Sequence, residues 1–171
     1  PSGRSPGAGP SGTQTAGAHG LDGRLDGRGV PHNEDAERSV LGALLLHPDA
    51  VADVDHLAPD DFYAVRHQLI FETIKACVDR KAIADPIVVG EELDKRGSLA
   101  EAGGQEYLVD LMDAVVSAAA VSYHADLVRE KAVQRKLRET CLDISRQAYE
   151  NQSEAKELLD QSEARIFEIA R

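Results

Sequence analysis

After Gly104 the chain runs 67 residues to its end without a single Gly or Pro. Those are the residues that stop helices. Proline lacks the N–H and clashes with the preceding turn, and glycine loses the most freedom on ordering. A stretch this long without either is predicted to be helix, interrupted only where polar residues offer a cap. Two such breaks stand out, Val115-Val116-Ser117 with Ser117 as cap and Asn151-Gln152-Ser153 with Ser153 as cap. Between them lies a helix of about 31 residues, about 46 Å long at 1.5 Å per residue. A compact domain of this size is about 30–35 Å across, so part of the helix must project. The last helix, Glu154 to Arg171, is expected to fold back along it. The fold class predicted is all-α: a globular helical head over 31–114 and a protruding C-terminal helical hairpin over 115–171. No alternating apolar pattern is long enough to argue for a sheet.

The head is read from caps and periodicity. Asn33 is a natural N-cap, and Glu34, Asp35 and Glu37 suit the positive end of a helix. Ala36, Val40, Leu41, Leu44 and Leu45 follow at helical spacing, and Pro48 ends the run. A short helix is expected from Asp49 to Leu57. Pro59-Asp60-Asp61 is expected to open the next, with Leu69, Ile70, Ile74, Cys77 and Val78 on its apolar face. Asp85-Pro86 reads as N-cap and first helical residue, with a stop at Gly97. Gly103-Gly104 is a turn before Tyr107, Leu108, Leu111 and Met112. Leu41, Leu44, Phe62, Leu69, Ile70, Phe71 and Leu108 are the predicted core.

Residues 1–30 hold nine of the 14 Gly and three of the seven Pro, with only Leu21, Leu25 and Val30 as large aliphatics. Such a stretch buries too little to offset an ordering cost of about 1–2 kcal/mol per residue. It is predicted to be a disordered tail, and its LDGRLDGRG repeat a linker rather than a calcium turn. It has no apolar central stretch, which argues against a signal peptide. The only Met is Met112, so the chain is expected to be a piece of something longer.

Charge narrows the function classes. The whole chain has a formal charge of -11, and residues 31–171, with 16 basic and 28 acidic side chains, carry -12. That balance argues against a phosphate-gripping module. No run of 18 apolar residues is present, so no membrane span is expected. Two cysteines do not make a disulfide framework, which favours a reduced compartment.

Sites of chemistry are sparse. There is no G-x-x-x-x-G-K-[ST], H-E-x-x-H or C-x-x-C, and not even a Gly-Lys pair. The densest possible metal set is Asp53, Asp55, His56, Asp60, Asp61 and His67. A metal-dependent phosphohydrolase would use it; a solvated loop with Asp60 or Asp61 capping a helix is the simpler reading. His32, His47 and His124 stand apart from one another. Cys77 and Cys141 fall on apolar helix faces and read as small buried thiols. Arg129, Lys131, Arg135, Lys136 and Arg138 form one basic cluster, interrupted by Glu130 and Glu139. It reads as a solvated salt-bridge ladder, with partner binding as the alternative.

On the hairpin, Val133, Leu137, Cys141, Ile144 and Ala148 are spaced by 4, 4, 3 and 4, a single seam. Leu158, Leu159, Ile166, Phe167 and Ile169 fall on more than one side of the last helix, so its hairpin partner cannot cover them all. A second hairpin is the expected cover, making these residues a dimer interface.

Six segments in order resemble the N-terminal domain of DnaB-type replicative DNA helicases. They are PHNEDAERSVLGALL at 31–45, PDDFYAVRHQLIFETI at 59–74, DPIVVGEELDKRGSL at 85–99, GGQEYLVDL at 103–111, YHADLVREKAVQRKL at 123–137 and LLDQSEARIFEIA at 158–170. VVSAAAV at 115–121 departs from the family's Pro-Ser-Ala-Ala-Asn-like turn. The tail lies outside the resemblance. The resemblance implies a non-catalytic collar domain that pairs subunits in a hexamer and docks primase and a helicase loader. It implies no cofactor in this segment, with ATP and Mg expected only for a RecA-like motor domain. It also implies weak direct DNA binding and a place in the bacterial cytoplasm, at the replisome. A stand-alone all-α adaptor of the same fold is the alternative.

Overall fold

Asn33 begins the first helix as its position predicts. Its Oδ1 accepts from the Ala36 amide at 2.9 Å, and helix α1 follows over Glu34–Leu46. The computed structural model describes residues 29–115, 117–150 and 154–170, with only the backbone of Ala118. The other helices are α2 (Val65–Asp79), α3 (Pro86–Lys95), α4 (Gly104–Asp113), α5 (Val121–Glu150) and α6 (Ala155–Ile169). Three short 3-10 turns, Pro48–Val54, Pro59–Asp61 and Ala118–Ala120, connect them, and the described residues contain no strand. The fold is all-α.

Local chemistry accounts for the boundaries. Asp85 Oδ1 accepts from the Ile87 and Val88 amides, and Pro86 follows as the first residue of α3. Past Lys95 the chain turns through Gly97 at φ +71°, which a side chain would resist. There Ser98 N–H bonds the Leu93 carbonyl at 2.9 Å, closing a Schellman-type end.

Three expectations about local structure are corrected. The segment after Pro48 is a 3-10 turn ending at Val54, not an α-helix reaching Leu57. Pro59-Asp60-Asp61 forms its own 3-10 turn, and α2 starts only at Val65, because Phe62 and Ala64 are extended. The long helix starts at Val121 after a further 3-10 turn, not directly at Ser117. Val116, and the break expected at 151–153, lie outside the described residues.

The head's core joins α1 to α4 and the start of α5. Leu41, Leu44, Phe62, Ile70, Phe71 and Leu108 are buried as predicted, whereas Leu69 sits half-buried at the edge. Each such large side chain contributes about 1.5–3 kcal/mol by leaving water. Gly42 lets α1 and α4 touch: a Cβ there would stand 2.0 Å from the Leu111 carbonyl oxygen.

Helix α5 has two halves. Val121, Ala125, Val128, Ala132 and Arg135 are buried against the head; beyond Arg135 no residue of the helix is buried. From there α5 is a stem, and α6 runs against it, tied by Arg165 to Asp143 at 2.7 Å. No residue of α6 is buried. Head and projecting hairpin are thus as the Gly- and Pro-free stretch requires. Cys141 lies on the stem and is exposed, not buried as expected; Cys77 is buried in the head.

Candidate interaction surfaces

The interior of the head holds a polar relay. His67, fully buried, places Nδ1 2.6 Å from Glu37 Oε2 and Nε2 2.7 Å from the Tyr107 hydroxyl. Glu37 also accepts from the Tyr63 amide at 2.7 Å and the Ala64 amide at 3.4 Å. It therefore holds the extended backbone that leads into α2, whose own N-cap residue, Ala64, makes no side-chain cap. Burial pushes the Tyr107 phenol above its ordinary 10.0, against the pull of Arg66 and Arg38. Arg66 lies 4.3 Å over its ring. The relay joins α1, α2 and α4 with every buried side-chain polar atom among the described residues satisfied.

The basic cluster does not form a ladder along α5. Arg129 reaches Asp61 Oδ1 at 2.8 Å, and Lys136 reaches Asp61 Oδ1 at 3.3 Å and Asp60 Oδ2 at 3.0 Å. Arg135 donates to the Pro31 and Asp61 carbonyls and lies 5.6 Å over the Tyr63 ring, which His32 stacks on from 4.4 Å. These cations tie the stem's base to the Pro59–Asp61 turn. Lys131 faces Gln134 instead. The hydrogen bond from Lys136 holds the Asp60 carboxyl below its ordinary 3.8.

The metal set is dispersed. His67 is spent on Glu37 and Tyr107, Asp61 on two cations, and His56 stands 3.5 Å from Asp126. No three His, Cys, Asp or Glu side chains among the described residues are grouped to hold a metal ion. The arrangement gives the phosphohydrolase reading no centre.

Two surfaces remain for partners. The first is a cleft of about 600 Å³ between the N-terminal half of α1 and the start of α5, with Ala114 beside it. Ser39 and His124 meet across it, Oγ to Nδ1 at 2.8 Å. Asp35 and Arg38 line its rim without pairing with each other. Arg38 has the Tyr107 ring 6.0 Å away and makes no hydrogen bond or ion pair among the described residues. Ala36 and Leu127 give it an apolar floor.

The second surface is the hairpin. Of the residues predicted to form an interface, Val133, Ile144, Leu158 and Ile169 are half-buried. Leu137, Cys141, Leu159, Ile166 and Phe167 are exposed, Leu159 by 69% and Phe167 by 62%. The cleft was invisible to sequence reading, since its residues lie some 80 positions apart and no periodicity links them; the Ser39–His124 bond spans 85.

The described residues form an all-α head that carries a two-helix arm with no buried residue in α6. The model of the DnaB-like helicase N-terminal domain matches residues 29–130, and the chain belongs to that family. It is 37% identical over 147 residues to the replicative DNA helicase DnaC of Bacillus subtilis, covering 85% of this chain and 32% of that protein. The crystal structure of the N-terminal domain of DnaB helicase from Mycobacterium tuberculosis superposes with a TM-score of 0.77 at 39% identity, over 81% of this chain and 99% of that one. A DnaB-like replicative helicase, described with its interactions with primase, shares the fold: TM-score 0.68, 24% identity, over 80% of this chain and 31% of that one. The chain spans about a third of the length of the curated relatives it matches first.

Proposed function

We propose that this chain is the collar segment of a bacterial replicative helicase, a non-catalytic module for assembly and docking in DNA replication. The observation that carries the reading is the hairpin, an arm with no buried residue in α6 and with Leu137, Leu159, Ile166 and Phe167 exposed. Large apolar side chains left in water each forgo about 1.5–3 kcal/mol, which a second hairpin recovers in a four-helix arrangement. Two-fold pairing of this kind closes a dimer, and pairs then build a hexamer in the whole protein. The head cleft, with unpaired Asp35 and Arg38 over an apolar floor, suits docking of primase or a loader. In this reading ATP and Mg belong to a motor portion of the whole helicase, and this segment uses no cofactor. Its place is the cytoplasm, at the replisome.

Sedimentation tests the reading. The wild-type chain is expected to be a dimer, and Ile166→Asp with Phe167→Asp a folded monomer. A wild-type chain that stays monomeric at high micromolar concentration removes hairpin pairing as a property of this segment.

A further inference from the structure

The head and the stem are joined by charge, and the charge converges on one residue. Asp61 has a fully buried side chain. Its Oδ2 accepts from the Ala58 amide at 2.9 Å, and its Oδ1 from Arg129 at 2.8 Å and Lys136 at 3.3 Å. Its carbonyl accepts from Arg135, whose second amino group holds Pro31 at 2.8 Å. These cations occupy two turns of α5 and end where its buried surface ends.

Under them the apolar contact is shallow. The buried apolar residues of α5 on the head are Val121, Ala125, Val128 and Ala132, and Leu127 packs only partly. Helices fix their crossing by fitting ridges of large side chains into grooves, and small side chains make low ridges over which a helix can slide or roll. Directional hydrogen bonds to a buried carboxylate resist both motions, because each has a preferred length and angle.

We propose that Asp61 is a positioning residue that sets the direction of the stem relative to the head through Arg129 and Lys136. The head folds on its own core, and the Asp61 node fixes how the arm leaves it. The consequence is that the angle at which arms meet is encoded at their base, not along the arm. That consequence for assembly rests on the reading proposed above; the direction of the stem does not.

The experiment measures that direction. Spin labels are placed at Glu91→Cys on α3 and Tyr149→Cys on the stem, in a Cys141→Ser background, with labelled chain diluted into unlabelled chain. Position 149 lies about 21 Å beyond Arg135 along the helix, so a tilt of about 15° moves it by about 5 Å. The wild type is expected to give one narrow distance. Asp61→Asn, and independently Arg129→Gln with Lys136→Gln, are expected to broaden or shift it by about that amount at unchanged helix content. The double substitution leaves the Ala58 cap intact and decides the matter if Asp61→Asn does not fold. A double variant whose distances superimpose on the wild type overturns the proposal. So does one that fails to fold, since the node would then serve folding rather than direction. Both results are read whether or not the chain dimerises.

Discussion

His67 and Glu37 stand 2.6 Å apart, Nδ1 to Oε2, in a part of the head where the imidazole has no solvent contact and the carboxylate almost none. Thirty residues separate them in sequence, and the bond fastens α2 to α1 across the core. Glu37 at the same time accepts from the Tyr63 and Ala64 amides just ahead of α2. The pair is therefore part of the frame that holds the cleft's α1 wall in place.

Replacing His67 by Leu leaves a buried carboxylate short of a donor and the Tyr107 hydroxyl without a partner. A buried polar group left without its partner costs about 1–3 kcal/mol, and more where it is charged. Urea unfolding of the two proteins checks this. A loss below about 1 kcal/mol would mean that the Tyr63 and Ala64 amides alone satisfy Glu37.

Gly42→Ala and Gly90→Ala separate two kinds of close approach. Alanine within a helix ordinarily stabilises by about 1 kcal/mol over glycine. At Gly42 the new Cβ meets backbone, the Leu111 carbonyl oxygen at 2.0 Å, so α1 and α4 must move apart. Overpacking of this sort costs about 1–3 kcal/mol. At Gly90 it meets the tip of the Gln105 side chain, which can swing away at the loss of its bond to Pro86. The Gly42 variant is expected to melt several degrees lower and the Gly90 variant to stay close to wild type.

Much of this frame is legible from sequence, and what is not has a common cause. Asn33, Asp85-Pro86, Gly97 and Gly103 act through neighbours within a few positions, so local chemistry reveals them. The stem is legible because a helix longer than its domain must project. From sequence Asp61 reads as a possible cap or as one of a metal set; its Oδ2 accepts from the Ala58 amide, and its cations come from 68 and 75 positions away. For the same reason the basic cluster looked like a ladder. Sequence spacing displays i,i+4 partners and hides tertiary ones. Cys141 reads as interior because its seam is apolar, but the seam continues past the point where the head ends and the thiol is exposed.

The ties at the stem's base predict a pH window. The Lys136 hydrogen bond depresses the Asp60 carboxyl, against the effect of burial. Its contribution is present above the unfolded value of 3.8 and is lost as pH falls through the lower folded value. Burial alone would lower Lys136, but the Asp60 hydrogen bond and the Asp61 and Asp60 charges raise it above 10.5. Its contribution is present below 10.5 and is lost as pH rises through the higher folded value. The tie is therefore whole from about pH 4 to 10. In Lys136→Met the Asp60 carboxyl, followed by carbon-13 NMR, is expected to titrate at higher pH than in wild type. An unchanged midpoint would show that the pair does not form in solution.

Docking at the head cleft predicts a separation of functions. Asp35 and Arg38 lie on the head, in α1, and the residues proposed to pair lie on the hairpin. Reversing both charges, Asp35→Lys with Arg38→Glu, is expected to weaken primase binding tenfold or more, about 1.4 kcal/mol or more. The sedimenting mass is expected to remain unchanged. Calorimetry with purified primase and sedimentation of the same sample check both halves. Equal primase affinity in wild type and variant would place docking elsewhere on the head.

Direct DNA binding is expected to be weak, and the structure adds a reason beyond net charge. Residues 31–171 carry a formal charge of -12. Three of the five cations in the α5 cluster are turned inward: Arg129 and Lys136 pair with Asp61, Lys136 also faces Asp60, and Arg135 is buried on backbone carbonyls. Phosphate contacts gain affinity by releasing counterions from the DNA, and a cation already paired with carboxylate must first give up that partner. Fluorescence anisotropy with a labelled single strand at physiological salt is expected to give a Kd no tighter than the ~10⁻⁴–10⁻⁶ M of non-specific binding. Nanomolar binding would instead require the Asp61 ties to open. Asp61→Asn, which frees Arg129 and Lys136 from a full negative charge, would then bind more tightly still.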